Sequence, residues 1–216
     1  MVDIYVKKIE DTWIGLAYSE EKIAATALNY DKEETLRSLI ACLPPNTDYR
    51  IVEKASEFAE KIIEASREVH LGGQPFTDFT LAAEYVPEPQ AQVLKIASSI
   101  PIGYVASYGG IAKAAGTEPK TVGKIMASNP LYPIVQCHLV VGTDFSLVGY
   151  GGRKTTKALK AKLARLNKER KGHKTEREIT VDKMKFRVCP VERVIAKASK
   201  QRLNLSLTGQ RTLTNY

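Results

Sequence analysis

The proline-rich segment VPEP, residues 86–89, separates two parts of the chain that differ in hydrophobic periodicity. Before it, residues 2–30 contain runs in which apolar and polar side chains alternate, which is typical of β-strands. After it, apolar residues recur at intervals of three and four, as in PQAQVLKIASSI, which predicts an amphipathic helix. The two patterns require different elements, so we expect a linker here and a different architecture on each side.

Residues 1–86 are predicted to form a small α/β domain. Three strands are expected within residues 2–30, and a turn at Ser19–Glu21 joins the second to the third. DKEETLRSLIACL predicts a helix capped by Asp31. RIVEKASEFAEKIIEASREVHLGG, which begins at Arg50, predicts a second helix. FTDFTLAAEYV then returns to a β pattern.

Residues 87–173 are predicted to form a mostly helical domain, so the fold class is α+β. SYGGIAKAAG, with Ser107 as its cap, and EPKTVGKIMASN, with Pro119 in its first turn, predict two short helices. They are joined by a tight turn at Gly116–Thr117 and have the proportions of a DNA-binding helix-turn-helix, with Lys120 and Lys124 on the second helix. Short helical hairpins also occur in helical domains that bind no DNA.

The charge distribution points to a polyanionic partner. The formal net charge is +8, and the segment GGRKTTKALKAKLARLNKERKGHK, which follows Tyr150, is dominated by Lys and Arg. Such a segment suits contacts with DNA phosphates, or it is simply a solvated basic helix. Residues 174–216 are a basic C-terminal extension of unknown role. Its first half could supply a strand and a short helix, and the β-leaning QRLNLSLTGQRTLTNY could be a tail or an arm.

Composition excludes several classes of protein. No run of about 18 apolar residues is present, so no membrane span is expected. The start of the chain, MVDIYVKKIEDTW, lacks the layout of a signal peptide. The three cysteines, Cys42, Cys137 and Cys189, are too few and too scattered for a disulfide framework. We therefore expect a reducing, cytoplasmic location and no contact with membranes.

Cys137 and His138 are adjacent within the apolar run NPLYPIVQCHLVVG, which reads as a strand. A thiol and an imidazole in such a run can be packing residues, metal ligands, or a nucleophile with its base. A thiol among apolar side chains resists ionisation, so catalytic use would require a neighbouring base that takes its proton.

Several segments resemble those of one protein family in order and spacing. VLKIASSIPIGYVASYGGIAKAAG is followed by KTVG, then by NPLYPIVQCHLVVG, in which Asn129 stands eight residues before Cys137, and then by GYGG. This set resembles the C-terminal domain of the O6-alkylguanine-DNA alkyltransferases, with its I-P-x-G, S-Y-x-x-[IL]-A, R-A-V-G, P-C-H-R and G-Y-x-G-G motifs. The resemblance covers residues 76–166, and residues 1–86 fit the family's ribonuclease-H-like N-terminal domain in length and order.

The resemblance implies a DNA repair protein that acts once. As a monomer it would bind double-stranded DNA carrying O6-alkylguanine, flip the damaged base into a pocket, and transfer the alkyl group irreversibly to Cys137. No cofactor is implied, and no metal is expected, because the N-terminal region lacks the Cys/His cluster that holds a structural zinc in some relatives. The alternatives are a non-catalytic, alkyltransferase-like sensor of alkylated DNA that recruits other repair factors, and a thiol hydrolase unrelated to DNA.

The resemblance also assigns roles to individual residues. Cys137 matches the nucleophile, His138 the base that acts through a water, and Asn129 the residue that ties the recognition helix to the active-site strand. Tyr108 matches the tyrosine that presses on the DNA backbone and protonates the departing guanine, and Lys120 replaces an Arg that fills the gap left by the base. Further DNA-binding candidates are Thr121, Lys124 and Arg153, and the loop over the base comprises Val148, Gly149, Tyr150, Gly151 and Gly152.

The chain departs from the family pattern around the Cys–His pair. Gln136 replaces the Pro before the Cys, and Leu139 replaces the Arg after the His. Lys120 keeps the charge of the family's Arg but loses its planar guanidinium. The Glu that orients the His aligns near Asn167, with Glu169 two residues further on. The third member of the site is therefore Asn167 or Glu169.

Overall fold

The structure, a computed structural model, describes the backbone of residues 1–209 and the side chains of residues 1–200. Two four-stranded sheets and seven α-helices make up this part of the chain, which has a mixed α+β architecture as predicted. No helix within it is long and apolar enough to span a bilayer.

The first sheet is formed by the N-terminal part of the chain. Its strand order is β3-β2-β1-β4, with β4 parallel to β1 and the other neighbours antiparallel. Glu20 and Glu21 form the turn between β2 and β3, and both have positive φ angles, as a two-residue hairpin turn requires. The strands are β1 (Val2–Ile9), β2 (Thr12–Ser19), β3 (Lys22–Asn29) and β4 (Tyr49–Ile51).

Two helices belong to this part, α1 (Lys32–Cys42) and α2 (Glu57–His70). The Asp31 carboxylate caps α1 by accepting from the Glu34 N–H at 2.9 Å, and the Ser56 hydroxyl caps α2 by accepting from the Ala59 N–H at 3.1 Å. Each cap contacts an N–H only three residues further along the chain, so it depends on the local sequence alone.

Two element predictions in this part are wrong. The second helix does not begin at Arg50, because Arg50 and Ile51 pair with β1, whose free edge offers hydrogen bonds that override their helical periodicity. FTDFTLAAEYV forms no strand: its only β pairing is an isolated bridge between Leu81 and Ile23. The pairing stops there because the chain makes hydrogen bonds with a single residue of β3.

The middle of the chain is mostly helical, and Ser107 caps α4 by accepting from the Gly110 N–H at 2.9 Å. Pro119 opens α5, where its missing N–H leaves no helical hydrogen bond unmade. The elements are α3 (Gln90–Ser98), β5 (Tyr104–Ser107), α4 (Tyr108–Ala114), α5 (Pro119–Ala127), β6 (Val140–Val141) and α6 (Thr156–Lys168).

The predicted strand around Cys137 is wrong in its details. Cys137–Leu139 form a 3₁₀ turn, and β6 begins only at Val140. The Leu139 N–H donates to the Gln136 carbonyl at 3.0 Å, which closes the turn before the chain joins β5. The candidate nucleophile therefore lies on a turn that leads into a buried strand.

The C-terminal extension completes the second sheet, whose strand order is β6-β5-β8-β7. It contributes β7 (Arg177–Val181), β8 (Met184–Pro190) and α7 (Val191–Gly209). The β-leaning prediction for residues 201–209 is wrong, because they continue a helix that begins with the buried residues Val191 and Val194, and extending a helix costs little once it is nucleated. The rest of the predicted tail, residues 210–216, lies outside the described residues.

One apolar cluster extends across the predicted domain boundary at residue 86. Leu16 and Ile62 come from before the boundary and Ile96 and Val140 from after it, and all four belong to the same buried cluster. The N-terminal part therefore packs against the part of the chain that contains Cys137 and His138. The proposed domain limits, 1–86, 87–173 and 174–216, remain a prediction.

Candidate functional site

Cys137 opens into a cavity of about 540 Å³. Tyr108, the first residue of α4, lines this cavity together with Lys120 and Lys124 of α5. The predicted base-pocket loop contributes further lining residues, which are Val148, Gly149, Tyr150, Gly151, Gly152 and the adjacent Arg153. Thr121 lies on α5 but does not line the cavity. The fold thus gathers residues that are far apart in sequence around one thiol.

The loop beside the cavity is held by a tight turn. The Tyr150 N–H donates to the Arg153 carbonyl at 2.8 Å, and the Arg153 N–H donates back to the Tyr150 carbonyl at 3.0 Å. Gly151 and Gly152 between them have φ angles of 53° and 71°. A left-handed conformation strains most residues but not glycine, so the two glycines let the loop adopt this turn without strain.

The surroundings of the Cys137 thiol favour its protonated form. Burial raises the pKa of this thiol, and the positive charges of Lys162 and Arg165 only partly oppose the effect. At neutral pH the group is therefore a thiol, and it needs a base before it can act as a nucleophile.

His138 has the geometry of such a base. Its side chain is buried, and Nε2 lies 3.2 Å from Oε1 of Glu169. A carboxylate only accepts hydrogen bonds, so the neutral ring carries its proton on Nε2 and leaves a lone pair on Nδ1. Nδ1 is buried and has no hydrogen-bond partner among the residues whose side chains are described. Burial lowers the pKa of His138 despite Glu169, so the ring is neutral at pH 7 and can accept a proton.

Of the two alternatives for the third member, the structure brings Glu169 to the imidazole. Glu169 is the C-cap of α6, whereas Asn167 is exposed and its Nδ2 donates to the Leu163 carbonyl at 3.0 Å. A separation of two residues turns a helical side chain by about 200°, so Asn167 and Glu169 face different directions.

Asn129 holds together the segment that leads to Cys137. Its Nδ2 donates to the Val135 carbonyl at 2.7 Å, and its Oδ1 accepts from the Leu131 N–H at 3.0 Å. Asn129 follows the end of α5, so these two bonds link that helix to the residues before the nucleophile.

Tyr108 keeps its hydroxyl proton at neutral pH. Burial, together with the nearby Cys137, raises the pKa of Tyr108 to about 12. The hydroxyl can therefore donate a proton or a hydrogen bond within the cavity.

Lys162 is a site residue that the sequence prediction missed. It is fully buried, and its Nζ donates to the carbonyls of Val140 at 2.5 Å, Val148 at 3.2 Å and Gly149 at 3.2 Å. Nζ also lies 5.8 Å from the centre of the Tyr108 ring, and burial lowers the pKa of the amine to about 8. Lys162 thus ties the base-pocket loop to the strand that follows Cys137. The sequence does contain one indication of this role: Lys162 stands seven residues, or two helical turns, before Glu169 and so shares its helix face.

The residues that break the family pattern make structural contacts. Gln136 Nε2 donates to the Val69 carbonyl near the end of α2 at 2.8 Å, and Leu139 lies in the core. Arg165, a second residue missed by sequence reasoning, donates to the Tyr132 hydroxyl at 3.0 Å. That hydroxyl lies 3.4 Å from Nδ1 of His70 on α2.

Comparison with known proteins gives a consistent result. Residues 88–171 match the family described as 6-O-methylguanine DNA methyltransferase, DNA binding domain. A methylated-DNA–protein-cysteine methyltransferase from Pyrobaculum aerophilum is 55% identical over 53 residues, which are 24% of this chain and 36% of that relative. The protein of the same name from Methanocaldococcus jannaschii is 27% identical over 146 residues, 66% of this chain and 82% of that relative.

The similarity extends to the fold. The crystal structure of Mycobacterium tuberculosis OGT in complex with DNA is 25% identical, with a TM-score of 0.51 over 78% of this chain and 92% of that one. The chain spans little more than a third of the length of the Pyrobaculum relative and most of the Methanocaldococcus one. The predicted resemblance is confirmed: residues 88–171 match the DNA-binding domain of the 6-O-methylguanine DNA methyltransferase family.

Proposed function

We propose that this protein repairs DNA by transferring the alkyl group of O6-alkylguanine to its own Cys137, once per molecule. The observation that carries the proposal is that Cys137, Tyr108, the glycine loop and the lysines of α5 line one shared cavity. Its volume, about 540 Å³, falls within the range of small-molecule sites, roughly 300–1,000 Å³, and suits a flipped base.

The chemistry follows from the protonation states. His138 takes the thiol proton of Cys137 at Nδ1, through a water, while Glu169 stabilises the resulting imidazolium. The sulfur then attacks the alkyl carbon, the bond from that carbon to guanine O6 breaks, and its electron pair stays with guanine. Tyr108 gives the departing base a proton and recovers one from the imidazolium through solvent. The products are an S-alkylcysteine and an unmodified guanine, so each molecule reacts once.

The DNA-binding part of the proposal rests on α4 and α5. We assign these two short helices to a helix-turn-helix in which α5 enters the groove and Lys120 fills the gap left by the base. Thr121, Lys124 and Arg153 would contact the DNA backbone, and the net charge of +8 favours such binding. Residues 1–86, assigned to a ribonuclease-H-like domain, would act as a scaffold of a monomeric protein that needs no cofactor.

Mass spectrometry of the intact protein after incubation with an O6-methylguanine duplex tests the proposal. We expect a gain of one methyl group per molecule, mapped to Cys137 and absent in Cys137→Ala. Cys189→Ala is the matched control and should still gain the methyl group, because Cys189 lies in β8 and does not line the 540 Å³ cavity.

Two other outcomes would replace the proposal. Tight binding to the modified duplex without any mass gain would identify a non-catalytic sensor of alkylated DNA. Repeated turnover of a small ester, without affinity for DNA, would identify a thiol hydrolase.

A further inference from the structure

A second cleft, of about 800 Å³, also reaches Cys137. Its walls come from both sides of residue 86, and they include polar side chains from each, namely Asn29, His70, Asn129, Tyr132, Tyr150 and Arg165. The thiol thus borders two spaces, of which the first takes the base in the proposed function. Because Cys137 lines both spaces, the far end of an alkyl group that reaches the sulfur from the first can extend into the second.

Arg165 gives this second cleft its chemical character. The guanidinium is half-buried, donates to the Tyr132 hydroxyl at 3.0 Å and lies 5.6 Å from the centre of the Tyr132 ring. It makes no ion pair with any side chain among residues 1–200. A half-buried cation without a carboxylate partner is costly unless a ligand supplies the negative charge.

The acidic group nearest along the chain does not neutralise Arg165. Glu169, one helical turn further along, directs its carboxylate to His138 instead. The other neighbours of the Tyr132 hydroxyl are the guanidinium itself and the imidazole of His70. The cleft therefore offers hydrogen-bond donors and a positive charge close to the reacting thiol, which suits an anionic group rather than a hydrocarbon.

We propose that this cleft recognises O6-alkyl groups that end in a carboxylate, of which carboxymethyl is the shortest, and that Arg165 and Tyr132 bind the carboxylate. This inference rests on the proposed transfer to Cys137 and specifies its substrate class. Arg165 can form two parallel hydrogen bonds with a carboxylate, which fixes the orientation of the methylene that the sulfur must attack.

The cation also removes an electrostatic obstacle to the reaction. Attack of an anionic sulfur on a methylene beside a carboxylate brings two negative charges together, and the guanidinium offsets both. In the step itself the sulfur–carbon bond forms, the carbon–O6 bond breaks, and guanine takes the electron pair and one proton. The products are S-carboxymethylcysteine and guanine, so no oxidant, reductant or further reactant is needed.

Single-turnover rates with three duplexes test the inference. The duplexes carry O6-carboxymethylguanine, its neutral isostere O6-carbamoylmethylguanine, and O6-methylguanine. For the unmodified protein we expect the carboxymethyl group to be transferred at least about tenfold faster than the carbamoylmethyl group, as a charge-assisted hydrogen bond implies. Arg165→Met should bring this ratio close to one, and Arg165→Lys should retain part of it.

Lys160→Met is the matched control, because Lys160 is an exposed cation on the same helix that does not line the cleft, and it should leave the ratio unchanged. A ratio near one in the unmodified protein would overturn the inference without any variant, even if Arg165→Met failed to fold. An unchanged ratio in a folded Arg165→Met would overturn it as well. If no alkyl group, methyl included, reached Cys137, the proposed function itself would fail; transfer of methyl with no preference for the anion would overturn only this inference.

Discussion

The Oε1 atom of Glu169 lies 3.2 Å from the Nε2 atom of His138, and this contact joins the end of α6 to the residue that follows the candidate nucleophile. It fixes the tautomer of a buried imidazole and leaves Nδ1 available as a proton acceptor. In the proposed function this arrangement lets His138 act as the base for Cys137.

Removing the Glu169 carboxylate should therefore slow the transfer more than removing the Asn167 amide. We expect Glu169→Ala to reduce the single-turnover rate on an O6-methylguanine duplex roughly a hundredfold, because the imidazolium loses its stabilising charge. Asn167→Ala, which removes an exposed amide, should stay within about twofold of the unmodified protein. The reverse order of effects would mean that Asn167 completes the site.

The dependence of the transfer rate on pH should show whether His138 acts as the base for Cys137. Because burial lowers the pKa of His138, the ring is neutral at pH 7, and we expect a flat rate above about pH 6.5 with a fall only in more acidic solution. Burial raises the pKa of the Cys137 thiol, so His138→Gln should be slow at neutral pH. Its rate should then rise roughly tenfold per pH unit as thiolate forms.

Rates measured from pH 5.5 to 9 by quenching and mass spectrometry distinguish the two profiles. If the unmodified protein itself showed the tenfold rise per unit, Cys137 would ionise without help and His138 would not be its base.

The sequence allowed prediction of features that depend on neighbouring residues. The caps Asp31 and Ser107 and the first-turn residue Pro119 act on their own helices, and the predicted helices begin beside them. The motif order likewise identified many of the residues that line the 540 Å³ cavity, among them Tyr108, Lys120 and Cys137.

Features that depend on distant partners could not be read in this way. Arg50 joins a strand only because the edge of β1, more than forty residues earlier in the chain, is free to pair with it. In the sequence, Lys162 is one of many cations in a basic segment. In the structure it is buried and donates hydrogen bonds to three carbonyls from two other segments. Such contacts become visible only when the chain is folded.

The buried amine of Lys162 should matter for stability as well as for transfer. Lys162→Met would leave the carbonyls of Val140, Val148 and Gly149 without a donor, and we expect a loss of about 2 kcal/mol in the free energy of unfolding. Transfer should slow too, because the glycine loop loses its tether. Lys160→Met, which changes an exposed lysine of the same helix, should have little effect on either quantity.

The loss of stability in Lys162→Met should depend on pH, in a direction set by the pKa of Lys162. The pKa of Lys162 is about 8 in the folded protein and near 10.4 in the unfolded chain, so the unfolded chain binds more protons between these values. The stability of the unmodified protein relative to Lys162→Met should therefore rise between pH 8 and 10.4, by up to about 3 kcal/mol. Urea denaturation of both proteins at several pH values measures the difference; a constant difference would show that the amine titrates normally.

Gln136, where the family has Pro, should act on stability rather than on chemistry. Its amide donates to the Val69 carbonyl at the end of α2 and does not line either space that reaches Cys137. We expect Gln136→Ala to lower the free energy of unfolding by about 1 kcal/mol through loss of this hydrogen bond, while the transfer rate stays within about twofold. Gln92→Ala, at an exposed position on α3, is the control for loss of a glutamine amide. If Gln136→Ala slowed the transfer without affecting urea denaturation, the amide would act on the thiol, and the departure from the family pattern would concern catalysis instead.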